Sequence, residues 1–122
     1  MVIFDANMIL RYLLDDNKEM ADKAEEYLSA GDVLVTLEVM AEVVYVLRGV
    51  YSMDRDKIAR ILKGFMELVD CRDMEVIKKG LDAYGTYNLD FVDCVLLGYH
   101  VEKQAEIVTF DKKLSKLLRS ID

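Results

Sequence analysis

Four acidic residues stand where carboxylates could bind a metal ion: Asp5, Glu42, Asp93 and Asp111. Asp5 directly follows the apolar run 2–4, and Asp111 follows the apolar run 106–109. If both runs are strands of a parallel sheet, these two acids lie at its carboxyl edge, where open α/β sheets bind ligands. For each of the two taken alone, a helix N-cap is the preferred explanation, because Asp favours that position.

Glu42 and Asp93 lie in stretches, 39–47 and 91–97, that are apolar on nearly every side. Such stretches predict buried helices. A buried carboxylate is costly unless it pairs with another group or binds metal. No basic residue stands one helical turn from either acid. A local ion pair therefore does not explain them, and a partner from elsewhere in the fold remains the alternative.

Four carboxylates gathered at one place repel each other, and some take up protons unless cations balance their charge. Carboxylate oxygens suit Mg²⁺ and also Mn²⁺. One or two such ions can activate water and stabilise phosphorus during an in-line displacement. Such a site is chemically suited to displacement at a phosphate. The single histidine, His100, lies about two helical turns beyond Asp93, and we expect it to serve packing or the surface.

The elements that position the acids are short apolar runs alternating with amphipathic stretches. The predicted strands are 2–4, 33–35, 69–71 and 106–109. The predicted helices are 7–14, 20–30, 37–48, 55–68, 74–84, 91–104 and a short one after Asp111, with Thr36, Asp54 and Asp73 as further caps. This alternation predicts an α/β sandwich with a mostly parallel central sheet.

Composition narrows the class of protein. The chain has 122 residues, the size of one domain, and 53% of them are hydrophobic. No apolar run is long enough to span a membrane and no signal peptide is evident, so a cytoplasmic protein is expected. Cys71 and Cys94 lack the spacing of a zinc or redox site. The net charge of −7 argues against a general nucleic-acid-binding protein, but not against a nuclease whose bound cations attract phosphate.

The ordered set of acids, with its contexts, resembles a known family. The set comprises Asp5-Ala6-Asn7 after a strand, Glu42 in an apolar helix, Asp90-Phe91-Val92-Asp93, and Thr109-Phe110-Asp111 after the last strand. This resembles the PIN-domain family, in particular the VapC-type toxins of bacteria and archaea. The resemblance covers essentially the whole chain and implies a single PIN-like α/β/α sandwich over residues 1–122.

The resemblance implies an endoribonuclease that depends on Mg²⁺ or Mn²⁺, with Asp5, Glu42, Asp93 and Asp111 as catalytic metal ligands. By the same resemblance Asn7, Asp90 and Thr109 support the site, although Asp90 is equally explained by solvent exposure. Ala6 departs from the family, which often has Thr or Ser there. The implied partners are an RNA substrate, an antitoxin protein that blocks the site, and a second copy in a homodimer.

Basic residues could contact RNA phosphates. The candidates are Arg11, Lys112 and Lys113, with Arg48 and Arg55 as further possibilities. Lys112 and Lys113 are favoured because they directly follow Asp111, and a solvated surface is their alternative. The tyrosines could stack bases, although core or dimer contacts explain most of them. Glu38, one turn before Glu42, could be a fifth metal-site acid or a favourable charge at a helix N-terminus.

Three other functions fit parts of the pattern. A metal-dependent DNA nuclease would use a similar acidic site, but the short chain leaves little room for a DNA-holding region. An inactive PIN-like scaffold that binds a partner protein or RNA is disfavoured because all four acids are present. A receiver domain needs a pair of acids after the first strand, which this chain does not show clearly.

Overall fold

The computed structural model describes all 122 residues as seven helices around a small parallel sheet. The strands are β1 (Val2–Ile3) and β2 (Val33–Leu34). The helices are α1 (Ala6–Leu14), α2 (Lys18–Ala30), α3 (Leu37–Gly49), α4 (Arg55–Met66), α5 (Met74–Thr86), α6 (Phe91–Lys103) and α7 (Lys112–Ile121). The predicted order of strands and helices is confirmed up to α4, and the seven predicted helices are all present.

The sheet is smaller than the sequence predicts. β1 and β2 pair in parallel, with Val2 opposite Val33 and Ile3 opposite Leu34. The predicted strand at 69–71 is reduced to one parallel bridge, in which Asp70 exchanges backbone hydrogen bonds of 2.8–2.9 Å with Val33 and Val35. The mostly parallel character is therefore confirmed, and the extent of the sheet is not.

The predicted strand at 106–109 is wrong. These residues form no backbone hydrogen bond to β1 or to any other strand. Ile107 and Thr109 are half-buried, whereas Val108 and Phe110 are fully open to solvent. The apolar run that indicated a buried strand thus packs through one face only, and the outer edge of β1 stays unpaired with Ile3 exposed.

Side-chain caps begin four helices. In each case a side-chain oxygen of the N-cap residue accepts a backbone N–H three residues ahead, at 2.8–3.2 Å. The capping residues are Asp5, Asn17, Thr36 and Asp111. Such a bond satisfies one of the donors that a helix N-terminus leaves free, so polar residues at these positions set where the chain turns helical.

The predicted caps Asp54 and Asp73 occupy the N-cap positions of α4 and α5 without a side-chain capping bond. Asp73 has a left-handed backbone with φ of 57°, and its carboxylate accepts a hydrogen bond from the Tyr99 hydroxyl at 3.0 Å instead. The helix starts are therefore predicted correctly, whereas the capping interaction is not.

The core lies between helices that approach most closely at α5 and α6. Gly80 and Gly98 allow this approach, because a methyl group on Gly98 would overlap the carbonyl oxygen of Val76. α3 and α7 pack against α6 as well, and α1 packs against α3. α6, which carries Asp93, is thus the helix through which α3, α5 and α7 hold the acidic residues in place. Every helix is too short or too polar to span a bilayer.

Candidate active site

Asp111 is fixed by two local hydrogen bonds. Its Oδ1 accepts the backbone N–H of Leu114 at 2.8 Å, and the Thr109 hydroxyl accepts the backbone N–H of Asp111 at 3.0 Å. Oδ2 of Asp111 takes no hydrogen bond from the chain. The carboxylate is therefore oriented by the helix it caps and keeps one oxygen for another partner, and Thr109 holds the backbone that carries it.

Asp5 has the same arrangement at the start of α1. Its Oδ1 accepts the backbone N–H of Met8 at 2.9 Å, and the side chain is exposed. Asp5 and Asp111, the two acids that follow predicted strands, are thus helix N-caps, which was the alternative to a metal-binding role. Because capping occupies a single oxygen of each carboxylate, capping does not prevent either residue from binding a cation.

Asp93 lies in the first turn of α6 and is half-buried. Desolvation raises the pKa of its carboxyl, and the negative charges of Asp111 and Asp90 raise it further. None of these three acids forms an ion pair. Three carboxylates therefore share one region, and none of them is within ion-pair distance of a cationic side chain.

Lys113 connects the two elements that carry these acids. Its ammonium group donates a hydrogen bond to the carbonyl oxygen of Asn88, in the loop that leads into α6. The first turn of α7 is thereby joined to the start of α6, which places Asp111 near Asp93. Lys113 is a predicted RNA-binding residue, and in the structure it has this intramolecular role.

The prediction that Glu42 is buried is wrong. The buried face of α3 consists of Met40, Val43, Val44 and Leu47. Glu42 lies on the opposite face, which is exposed and also carries Glu38, Tyr45 and Arg48. A helix rich in apolar residues can pack through one face alone. The argument from burial thus holds in part for half-buried Asp93, and it does not apply to Glu42, which forms no ion pair and is open to water.

The residues suit a divalent cation in chemistry more than in geometry. Carboxylate oxygens are the ligands that Mg²⁺ and Mn²⁺ accept, and Asp93 and Asp111 have such oxygens free. However, no three Asp, Glu, His or Cys side chains converge closely enough to hold one ion between them. The structure thus brings Asp90, Asp93 and Asp111 into one region, and it does not join Asp5 and Glu42 to them in a formed site.

Of the four remaining predicted residues, only Arg11 forms side-chain hydrogen bonds within the chain. It is held by Asp16 at 2.9 Å and by the Tyr51 hydroxyl at 3.3 Å, which leaves it little freedom to reach RNA. Asn7 and Lys112 are exposed, and neither side chain forms a hydrogen bond or an ion pair. Asp90 occupies the N-cap position of α6 without a capping bond and is exposed, which agrees with the alternative given for it, while it also lines the acidic region.

His100 lies in the last turn of α6, at the opposite end of the helix from Asp93. Its Nδ1 is 2.8 Å from the carbonyl oxygen of Ala105, and its Nε2 is 2.7 Å from Oδ1 of Asp122. These contacts raise its pKa, the Ala105 bond most and the Asp122 bond next. A surface role for His100, as expected, agrees with this position.

Arg55 has a role that the sequence did not reveal. Its guanidinium donates to the carbonyl oxygens of Tyr84, Tyr87 and Leu89 and lies 3.8 Å from the centre of the Tyr84 ring. It thereby joins the start of α4 to the end of α5 and to the loop before α6. No local pattern could have indicated this, because all its partners lie about thirty residues away along the chain.

Beside the acids a cleft of about 530 Å³ opens between α3, the start of α4 and the start of α6. Its lining includes the acids Asp90 and Asp93 together with Tyr45, Arg48 and Arg55. The acidic region and this cleft are therefore continuous, with Asp90 and Asp93 common to both.

The comparisons with known proteins agree with the predicted family. The family model described as PIN domain matches residues 2–119, almost the whole chain. No curated protein and no solved structure gives a significant match.

Proposed function

The chain belongs to the PIN-domain family, and we propose that it is a metal-dependent endoribonuclease that hydrolyses the phosphodiester bonds of RNA. PIN domains are in general metal-dependent nucleases. The observation that carries the proposal is that Asp90, Asp93 and Asp111 gather beside a cleft while none of them forms an ion pair. The raised pKa of Asp93 agrees with this, since perturbed carboxylates next to a cleft are typical of functional sites.

The proposed ligands of Mg²⁺ or Mn²⁺ are Asp5, Glu42, Asp93 and Asp111. When bound, such an ion supplies the positive charge that activates water and stabilises the phosphate during displacement. Asp93 and Asp111 contribute two carboxylates that are already neighbours. The caps of Asp5 and Asp111 hold those carboxylates in fixed rotamers, which lowers the entropy lost when they bind a ligand.

The supporting residues act through the chain itself. The Thr109 hydroxyl fixes the backbone of Asp111, and Asp90 adds negative charge next to Asp93. Asn7, exposed in the first turn of α1, is free to hydrogen-bond to substrate near Asp5. Among Arg11, Lys112 and Lys113, only Lys112 has no partner within the chain, so it is available for a backbone phosphate.

The proposal is tested by cleavage of labelled single-stranded RNA with Mg²⁺, with Mn²⁺ and with EDTA. We expect cleavage that requires metal and that falls at least a hundredfold in Asp93→Asn, since removal of a ligating charge weakens both metal binding and catalysis. Glu75→Gln, an exposed acid in the first turn of α5, is the matched control. Equal activity of Asp93→Asn and wild type would contradict the proposal.

The finer part of the proposal concerns the partners. From the resemblance to VapC-type toxins, we propose that the protein is the toxin of a toxin–antitoxin pair. In this proposal it acts as a homodimer and a small antitoxin protein blocks its active site. Growth arrest on expression of the wild type but not of Asp93→Asn would support the toxin role. RNA and DNA oligonucleotides of the same sequence, tested together, distinguish this function from that of a DNA nuclease.

A further inference from the structure

The cleft beside the acidic residues has the size of a ligand site. Its volume of about 530 Å³ lies within the roughly 300–1,000 Å³ common for small-molecule pockets. Because Asp90 and Asp93 belong both to this cleft and to the acidic region, a nucleic acid held at Asp93 lies next to the cleft.

Much of the cleft lining is apolar or aromatic. It includes Ala41, Val44 and Phe91, together with the exposed residues Val92 and Tyr45. Tyr45 is 80% exposed and its ring forms no aromatic pair within the chain. An exposed ring of this kind, next to apolar side chains, is a surface on which an unpaired base can stack.

The cleft lining also contains two arginines that are held in place. Arg48 donates from Nη1 to the carbonyl oxygen of Met53 at 3.0 Å, and Arg55 is bound to the carbonyl groups described above. Nη2 of Arg48 and Nη1 of Arg55 make no hydrogen bond within the chain. Although Asp90 and Asp93 line the same cleft, these free guanidinium nitrogens give it two fixed donors for a phosphate.

We infer that this cleft binds one nucleotide of single-stranded RNA next to the bond that is cut, with its base against Tyr45 and Val92 and its phosphate near Arg48. The inference rests on the proposed function for its substrate and extends it to a subsite. A base can enter the cleft only when it is unstacked and unpaired, so the subsite selects single-stranded over double-stranded RNA.

The test is a titration that needs neither metal nor cleavage. Methyl resonances of Ala41, Val44 and Val92 are followed by NMR, in EDTA, while each of the four 5′-mononucleotides of RNA is added. We expect at least one mononucleotide to shift these resonances, and ribose 5-phosphate, which lacks a base, to shift them far less. Shifts of equal size with ribose 5-phosphate would contradict a base-binding role.

Variants separate stacking from charge. Tyr45→Ala should weaken mononucleotide binding about tenfold, within the range known for stacking on aromatic side chains, and Tyr45→Phe should retain it. Tyr27→Ala, a substitution of a tyrosine outside the cleft, is the control. Arg48→Gln should reduce the salt dependence of binding to a single-stranded RNA pentamer, whereas Arg60→Gln, on the exposed face of α4, should not.

The outcomes distinguish this inference from the proposed function. Mononucleotide binding in a protein that cuts no RNA leaves the subsite standing and contradicts the nuclease. Metal-dependent cleavage with unchanged KM in Tyr45→Ala, and without methyl shifts, contradicts the subsite alone. If sedimentation shows a dimer that Tyr45→Ala converts to a monomer, and mononucleotides shift no cleft methyl, the cleft is covered by a second copy and the inference is overturned.

Discussion

Lys113 donates a hydrogen bond to the carbonyl oxygen of Asn88, and through this bond the helix that Asp111 caps is joined to the loop that precedes Asp93. We expect Lys113→Met to lower the free energy of unfolding by about 0.5–1.5 kcal/mol, the usual value of one such bond. Because the position of Asp111 depends on this bond, RNA cleavage should fall as well. Urea denaturation and cleavage assays measure the two effects.

Lys112→Met is the matched control, since Lys112 is exposed and has no partner. It should leave stability within about 0.5 kcal/mol of the wild type. If Lys113→Met behaved like Lys112→Met in both assays, the bond to Asn88 would have no role in positioning Asp111.

Arg55 should contribute strongly to stability. Arg55→Met removes donors to three carbonyl groups and the stacking on Tyr84, so we expect a loss of about 2–3 kcal/mol in the free energy of unfolding. Arg55→Lys should recover little of it, because one ammonium group cannot replace a planar guanidinium at three acceptors. Chemical denaturation measures both, with Arg60→Met on the same helix as control. A loss below 0.5 kcal/mol in Arg55→Met would contradict this role.

Two glycines in different surroundings should respond in opposite ways to replacement by alanine. Gly98→Ala would bring a methyl group into the Val76 carbonyl, so we expect a loss of about 1–3 kcal/mol from overpacking. Gly64→Ala, in open space near the end of α4, should instead stabilise the protein by about 0.5–1 kcal/mol because alanine favours the helix. Thermal unfolding of the two variants checks the sign of each effect, and equal shifts would be inconsistent with the structure.

The raised pKa of Asp93 has a consequence for stability against pH. The folded state binds the proton of the Asp93 carboxyl more tightly than the unfolded state does, so protonation of Asp93 favours folding. This contribution to the free energy of unfolding is complete below about pH 4 and is lost as the pH rises through the folded-state pKa. Asp93→Asn should therefore be more stable than the wild type at pH 7, by less than about 1 kcal/mol, and equal to it at low pH. Urea denaturation across this range tests the sign.

Addition of a divalent metal at pH 7 should make the wild type more stable than Asp93→Asn. A cation that binds the folded protein alone raises the melting temperature of the wild type by mass action. Millimolar Mn²⁺ should therefore stabilise the wild type and leave Asp93→Asn nearly unchanged. Equal stabilisation of both proteins would place the bound ion away from Asp93.

His100 offers a direct titration because it is the single histidine. Both of its ring nitrogens face acceptors, the Ala105 carbonyl and the Asp122 carboxylate, and only the imidazolium donates to both at once. Its stabilising contribution is thus complete below the unfolded pKa, about 6.5, and is lost as the pH rises through the higher folded pKa.

Asp122→Asn should lower the His100 pKa in part, since the Ala105 bond, the larger cause, remains. NMR titration of the imidazole protons measures the change, with the exposed Asp22→Asn as a control outside this region. An unchanged pKa in Asp122→Asn would show that the ion pair is absent in solution.

The elements that local signals define were predictable from sequence. Asp5, Thr36 and Asp111 cap helices through bonds to residues three positions ahead, so the pattern that indicates them is contained in a few neighbouring residues. The family was predictable for a different reason, namely that four acids in order specify it better than any one of them does.

What depends on distant parts of the chain was not predictable. Which face of α3 packs inward depends on its neighbouring helices, and so Glu42 was wrongly expected to be buried. The run 106–109 has the composition of a strand, but pairing requires a partner edge that no local pattern can indicate. The contacts of Arg55 and the proximity of Asp93 to Asp111 likewise arise only in the folded chain.

The capping bonds of Asp5 and Asp111 also constrain how this chain can change during evolution. Asparagine caps a helix about as well as aspartate, whereas alanine costs about 1 kcal/mol. A descendant that exchanged both acids for asparagine would begin α1 and α7 at the same residues while losing two negative charges. The chain can therefore change from an acidic site to a neutral one through a series of stable proteins. In such proteins catalysis can be lost while the fold is kept.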